Sequence, residues 1–210
     1  MDFDFSHDSA FKNLIEDFPE DTIRWLFPES EEILGKILKI EPLREEMPKF
    51  WLSDPGRETD YPMRVNYESG PAIIALIEHK SSKDDFSIYK LAHYALDLAE
   101  AYPNEPILPI VIFADQKKWR KDVPREIELK ALGQTWLYFK YKKVKVNDLN
   151  AAGIADCDNP VLHILTPLMS YPKEERLQYI SNAYLNLFRL TNRRKTQKFM
   201  DFIDKYADLN

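Results

Sequence analysis

The chain has 210 residues, 44% hydrophobic and 30% charged, enough for one domain with a well-formed core. Its formal net charge is −6, its four histidines are scattered, and a single cysteine, Cys157, excludes an intrachain disulfide and a cysteine-based zinc site. No stretch approaches the roughly 18 consecutive apolar residues of a membrane helix, and the acidic first six residues lack the basic and apolar regions of a secretory signal, so a cytoplasmic chain is expected.

From Ser6 to Leu26 the pattern is helical, with Ser6 or Asp8 as N-cap, Phe11, Leu14, Ile15 and Phe18 on one stripe, and an interruption at Pro19. Residues 29–38 begin as an acidic helix start, and Lys36–Leu43 fits either a helix end or a first strand. Pro48–Pro55 reads as a loop carrying Phe50, Trp51 and Leu52. Residues 60–67 half-alternate as a strand, and Pro62 argues for an edge or irregular position, because it lacks a backbone donor. A turn at Glu68-Ser69-Gly70 leads to the apolar run 71–77, the mark of a strand buried on both faces. Ser81–Asp85 supplies a cap for a helix over Phe86–Ala101. Its apolar stripe is Ile88, Leu91, Ala92, Ala95, Leu98 and Ala99, with Lys90, His93, Tyr94 and Asp97 on the other side or its margins. Ile107–Ala114 is a second buried strand, so strand, helix and strand form a parallel βαβ unit.

Residues 124–133 read as a short helix with Pro124 at its start and Gly133 as C-cap. Thr135–Tyr141 reads as the end of the sheet, and Val144–Leu149 as its continuation or hairpin partner. Helices follow at about 160–170, 173–190 and 193–207. The expected fold is α/β, a central mixed sheet flanked by helices. Residues 1–158 form its core, and a C-terminal helical extension, 159–210, packs on it.

The candidate site lies at the end of the first hairpin. Folded about Ser69, the hairpin pairs positions whose numbers sum to 138, which sets Asp60 across from Glu78. Directly opposed residues have Cβ atoms about 5 Å apart, and two carboxylates there need solvent or a cation. Lys80 follows Glu78 by two and projects from the same face. Such an acid pair suits Mg²⁺, and the amine suits a water-orienting role. Charged residues also end strands simply because they reach water, and a slip of one residue would turn Asp60 to the other face. His79 alternates away and reads as a structural histidine. Ligand sites in parallel sheets lie beyond the strands' carboxyl ends, where Lys80 and Asp115 fall.

Several stretches resemble the PD-(D/E)XK nuclease superfamily, and within it the bacterial family of recombination-promoting, transposase-like nucleases. They are His7-Asp8-Ser9-Ala10-Phe11-Lys12, Arg57–Asp60, Ile77–Ser82, Tyr89–Tyr94, Leu108–Phe113, Trp119 and Asn159-Pro160, in the family's order. The resemblance implies a restriction-endonuclease-like core, with Asp60 and Glu78 as the acids and Lys80 as the motif's lysine. Thr59 stands where the superfamily name has Pro, and Lys80 follows the general pattern where many members of this family have Gln. A bound Mg²⁺, or Mn²⁺, would be held by Asp60, Glu78 and the backbone carbonyl of His79. Asp8, from the preceding helix, and Lys90, at a helix position that often faces such sites, are auxiliary candidates. Asp8 also reads as a helix cap and Asp115 as a solvated strand end.

These expectations define a Mg²⁺-dependent DNA endonuclease linked to recombination or transposition. The alternative is an inactive DNA- or protein-binding accessory protein of the same fold, which the negative charge favours. The cluster Lys117, Lys118, Arg120 and Lys121 is the expected DNA contact, with further basic groups at 140–145 and 193–195. Binding to DNA is expected to be weak, salt-sensitive and of low sequence specificity. RNA as substrate and a homo-oligomeric state remain open.

Overall fold

The computed structural model describes residues 7–43 and 61–207. It divides into two compact units. One is drawn from Ser30–Phe113 and Lys118–Val144, the other from Met1–Glu29, Ala114–Lys117 and Lys145–Asn210.

The first unit is built on a mixed five-stranded sheet in the order β1-β2-β3-β4-β7. The strands are β1 (Ile37–Pro42), β2 (Tyr61–Tyr67), β3 (Ile73–Lys80), β4 (Ile107–Phe113) and β7 (Lys142–Lys145). Between Lys36 and Leu43 the chain is therefore a strand. Strands β2 and β3 are antiparallel, and Tyr61 pairs with Ile77, Met63 with Ala75 and Val65 with Ile73. This is the register that pivots on Ser69. Gly70, with φ of 80°, takes the left-handed conformation that the turn demands.

Strand β2 is internal to the sheet, not at its edge. Its Pro62 is tolerated because its missing donor faces the end of the β1 ladder. Pairing of β1 with β2 runs to Pro42 and Met63, and beyond it the Leu43 N–H donates to the Pro62 carbonyl at 3.0 Å.

Strand β3 is apolar on both faces from Ile73 to Ile77, and all but its end residues are buried. It runs parallel to β4, with Glu78 beside Val111 and Lys80 beside Phe113. The connecting helix α4 (Ile88–Ala101) is capped by Ser87, whose hydroxyl accepts the Lys90 N–H, and not by the 81–85 turn. Ser82 instead caps a single 3₁₀ turn at Lys83–Asp85. The buried stripe of α4 is Ile88, Leu91, Tyr94, Ala95 and Leu98. Tyr94 thus faces the core, and Ala99 is exposed.

The segment expected to be a helix at 124–133 is a strand. Strands β5 (Glu126–Ala131) and β6 (Gln134–Lys140) form a separate two-stranded ribbon, so β6 does not end the central sheet. The residues Glu, Leu, Lys and Ala favour helices, but Glu126 to Ala131 alternate polar and apolar with a period of two. Leu132 and Gly133, with φ of 53° and 75°, make the two-residue turn of type I′ that matches strand twist.

The second unit is helical: α1 (His7–Asp17), α2 (Pro19–Leu26), α5 (Pro160–Leu165), α6 (Arg176–Leu190) and α7 (Arg193–Ala207). Pro19 opens α2, where a missing N–H costs nothing. The expected stripe Phe11, Leu14, Ile15 and Phe18 is buried. Phe11 meets Phe202 edge-on at 5.6 Å between centroids, and Phe18 meets Phe199 at 5.2 Å. Asn159 accepts the Val161 N–H as the cap of α5 and donates to the Asp21 carbonyl at 2.7 Å, tying α5 to α2. Among the described residues no helix is long and apolar enough to cross a membrane.

Candidate active site at the end of strand β3

Alternation along β3 decides which side chains share a face. Glu78 and Lys80 fall on one face, and the Lys80 Nζ lies 3.5 Å from Glu78 Oε2. The Glu78 side chain is only 6% exposed and that of Lys80 23%. A charge withdrawn from water to that degree requires a nearby counter-charge or hydrogen bonds, and Lys80 supplies the counter-charge. At 3.5 Å the pair is a loose ionic contact, not a short hydrogen bond. Its lysine end still reaches solvent. His79 points to the opposite face and is 4% exposed, as befits a structural histidine.

The remaining candidates divide by location. Asp60 precedes Tyr61 and lies outside the described residues, as do the Arg57–Asp60 stretch and Phe50, Trp51 and Leu52. Asp8 stands in the first turn of α1. Lys90 is exposed on α4, its ammonium 5.7 Å from the centre of the Tyr94 ring. Asp115 accepts the Lys117 N–H at 2.8 Å, the local turn contact of an aspartate just past a strand. Among the described residues no three His, Cys, Asp or Glu side chains converge as a metal-binding group.

Lys117, Lys118, Arg120 and Lys121 are all exposed. Trp119 anchors the loop between them, its ring edge-on to Phe113 at 5.0 Å, with the ammonium groups of Lys83 and Lys143 at 5.8 and 5.3 Å. Asp122 completes the anchor by accepting from Lys143 at 2.8 Å and Arg125 at 3.1 Å. The Lys143 ammonium foremost, with Arg125 and the Val123 N–H, holds the Asp122 carboxyl down at about 2. Lys145 is spent on the Lys117 carbonyl at 2.8 Å, and Lys195 on the Asp17 carbonyl and the Phe18 ring. Three of the basic residues singled out by charge alone, Lys143, Lys145 and Lys195, thus have structural partners. The alternation of β5 and the Leu132-Gly133 dipeptide were the overlooked signals. They mark an exposed ribbon beside the basic loop.

A mixed α/β chain with an acid–amine pair closing a buried strand is the class these features define. The family model described as “Putative transposase, YhgA-like” matches residues 5–198, and the chain belongs to that family. No curated protein and no solved structure matches the chain.

Proposed function

We propose that this protein is a metal-dependent DNA endonuclease acting in transposition or recombination. The observation that carries the reading is the buried Glu78 carboxylate with the Lys80 amine 3.5 Å away, at the carboxyl end of a strand paired in parallel. The family's description as transposase-like supports DNA as the substrate.

The donor chemistry fits a hard divalent cation, which takes one or two carboxylates and fills its remaining positions with water and phosphate oxygens. Glu78, Asp60 and the carbonyl of His79 would hold it. Bound there, Mg²⁺ would supply Lewis acidity and a water made more acidic. Glu78 contributes a buried carboxylate beside the Lys80 amine. Lys80, whose amine still reaches solvent, orients the attacking water through its N–H donors and offsets charge growing on the phosphate. Asp60 enters on chain connectivity: it directly precedes Tyr61, whose partner Ile77 directly precedes Glu78.

The test is nicking of supercoiled plasmid by the purified protein in Mg²⁺, Mn²⁺ or EDTA. Nicking that needs the metal and falls by orders of magnitude in both Glu78→Gln and Asp60→Ala is the expected result. Equal nicking by wild type and variants would place the activity elsewhere, and none in any metal would leave an accessory DNA-binding protein.

A further inference from the structure

Among the described residues the β5–β6 ribbon is paired to no other strand, and several of its polar side chains pair with one another. Lys130 lies 2.8 Å from Glu128, the Thr135 hydroxyl donates to Glu128 and the Tyr138 hydroxyl to Glu126. Its apolar side is different. The base rung, Ile127 opposite Phe139, joins the core, but the next rung, Leu129 opposite Leu137, is 53% and 42% exposed. At the tip Leu132 is 92% exposed and has a φ of 53°. A leucine is a poor choice there twice over. Asn, Asp or Gly fits the left-handed turn better, and water favours any of them. The register slips between Leu129 and Lys130, and Trp136 donates its indole N–H to the Ala131 carbonyl at 2.8 Å. That bond holds a 65%-exposed indole beside the turn. Strained backbone and exposed apolar groups kept together at one tip are features retained for contact with a partner.

Charge identifies the partner. Residues 118–144 carry eight Lys and Arg against three Asp and Glu, a net +5, whereas the rest of the chain carries −11. Within that segment the ribbon, 126–140, is neutral, two bases against two acids. Outside the ribbon, the same segment carries six basic residues and one acid, Asp122. A neutral, apolar-tipped arm rising from a basic collar matches a polyanion with an apolar interior. Duplex DNA is such a polymer, its phosphates outside and its stacked bases within. From the buried rung to Leu132 the arm extends roughly 15 Å at strand rise. That is enough to pass the backbone of a groove about 8 Å deep.

We propose that the ribbon is a DNA-engaging arm. The collar around Lys118, Arg120 and Lys121 grips the phosphates, and Leu132 wedges against a base step and partly unstacks it. The proposal rests on the reading of the chain as a protein that acts on DNA, and it assigns to the arm a role separate from the Glu78–Lys80 pair.

The experiment uses the full chain in EDTA, with a fluorescent duplex for affinity and 2-aminopurine within the duplex for unstacking. Wild type should bind and raise the 2-aminopurine signal. Leu132→Asn, which relieves the turn and should melt no lower than wild type, should bind about tenfold more weakly and lose the signal. Leu132→Met should keep both. An unchanged affinity and signal in Leu132→Asn overturns the proposal, as does Leu132-dependent binding to anionic phosphatidylserine vesicles without binding to the duplex. Plasmid nicking by wild type and Glu78→Gln in Mg²⁺, run in parallel, separates the two readings. Glu78-dependent nicking with no Leu132 effect removes the arm alone. A Leu132 effect without Glu78-dependent nicking removes the nuclease alone.

Discussion

The Glu78 carboxylate is buried while its counter-ion Lys80 stays partly wet, and that asymmetry sets what each substitution does. Burial costs a carboxylate more than a loose, partly screened ammonium returns. Asp60, as the proposed second acid, would add a like-charge repulsion on the order of 0.2–1 kcal/mol. Glu78→Gln in EDTA should therefore melt at or slightly above wild type by differential scanning fluorimetry. Lys80→Ala should melt clearly below it, because it removes the counter-charge 3.5 Å from a buried carboxylate. If Glu78→Gln melted well below wild type, Glu78 would be a paired structural carboxylate. His163 makes a second case. Burial pushes its ring below the ordinary 6.5, against the pull of the 2.8 Å bond that its Nε2–H donates to the Cys157 carbonyl. Above pH 6.5 the ring is neutral folded and unfolded, so no stability is lost. Below it the unfolded chain takes up the proton first, and stability falls with pH. The melting temperature should drop between pH 7.5 and 5.5, and less steeply in His163→Gln, whose amide can keep the carbonyl bond.

Turns decide several elements of the sheet unit. Gly35 ends α3 (Ser30–Leu34) with φ of 79°, and its N–H donates to the Glu31 carbonyl at 3.0 Å. A Cβ there would stand 2.7 Å from Glu68 Oε2 and 2.8 Å from Glu68 Cβ. The carboxylate in question accepts the Lys36 N–H that opens the path to β1. At Gly133, φ is 75° but nothing lies within 4 Å of a new Cβ. Both alanine variants incur the left-handed cost of about 1–2 kcal/mol, and Gly35→Ala adds overlap for a total of roughly 2–4 kcal/mol. Urea denaturation should rank Gly35→Ala well below Gly133→Ala. Equal midpoints would mean that Glu68 moves aside freely.

Electrostatics governs how the whole chain meets a polyanion. With a net charge of −6, long-range attraction to DNA is poor, and binding must rest on a local basic surface. Each phosphate neutralised contributes about −0.9 to the slope of log affinity against log salt. The triple change of Lys118, Arg120 and Lys121 to Ala should weaken DNA binding and flatten that slope by about 2–3, read by fluorescence anisotropy from 50 to 200 mM salt. An unchanged slope would remove the loop from the interface. Asp122→Asn, which releases Lys143 and Arg125 from their shared acceptor, should loosen that loop without adding a phosphate contact.

Periodicity and turn chemistry alone determined the helices at both ends of the chain, the buried strands β3 and β4, their parallel pairing and the register about Ser69. Each follows from local rules: an apolar run too short for a helix, a glycine where φ must be positive, a period of 3.6 between caps. The same alternation put Glu78 and Lys80 on one face. Local pattern failed where partners decide. Helix-favouring residues at 126–131 became a strand because the Leu132-Gly133 turn gave them Gln134–Lys140 to pair with. Pro62 was accommodated inside the sheet because its missing donor fell at the end of a ladder. Charge counts could not distinguish Lys143, Lys145 and Lys195, held by Asp122 and by the carbonyls of Lys117 and Asp17, from basic residues turned to solvent. Those outcomes depend on what stands across the fold from a residue, and only tertiary structure supplies that neighbour.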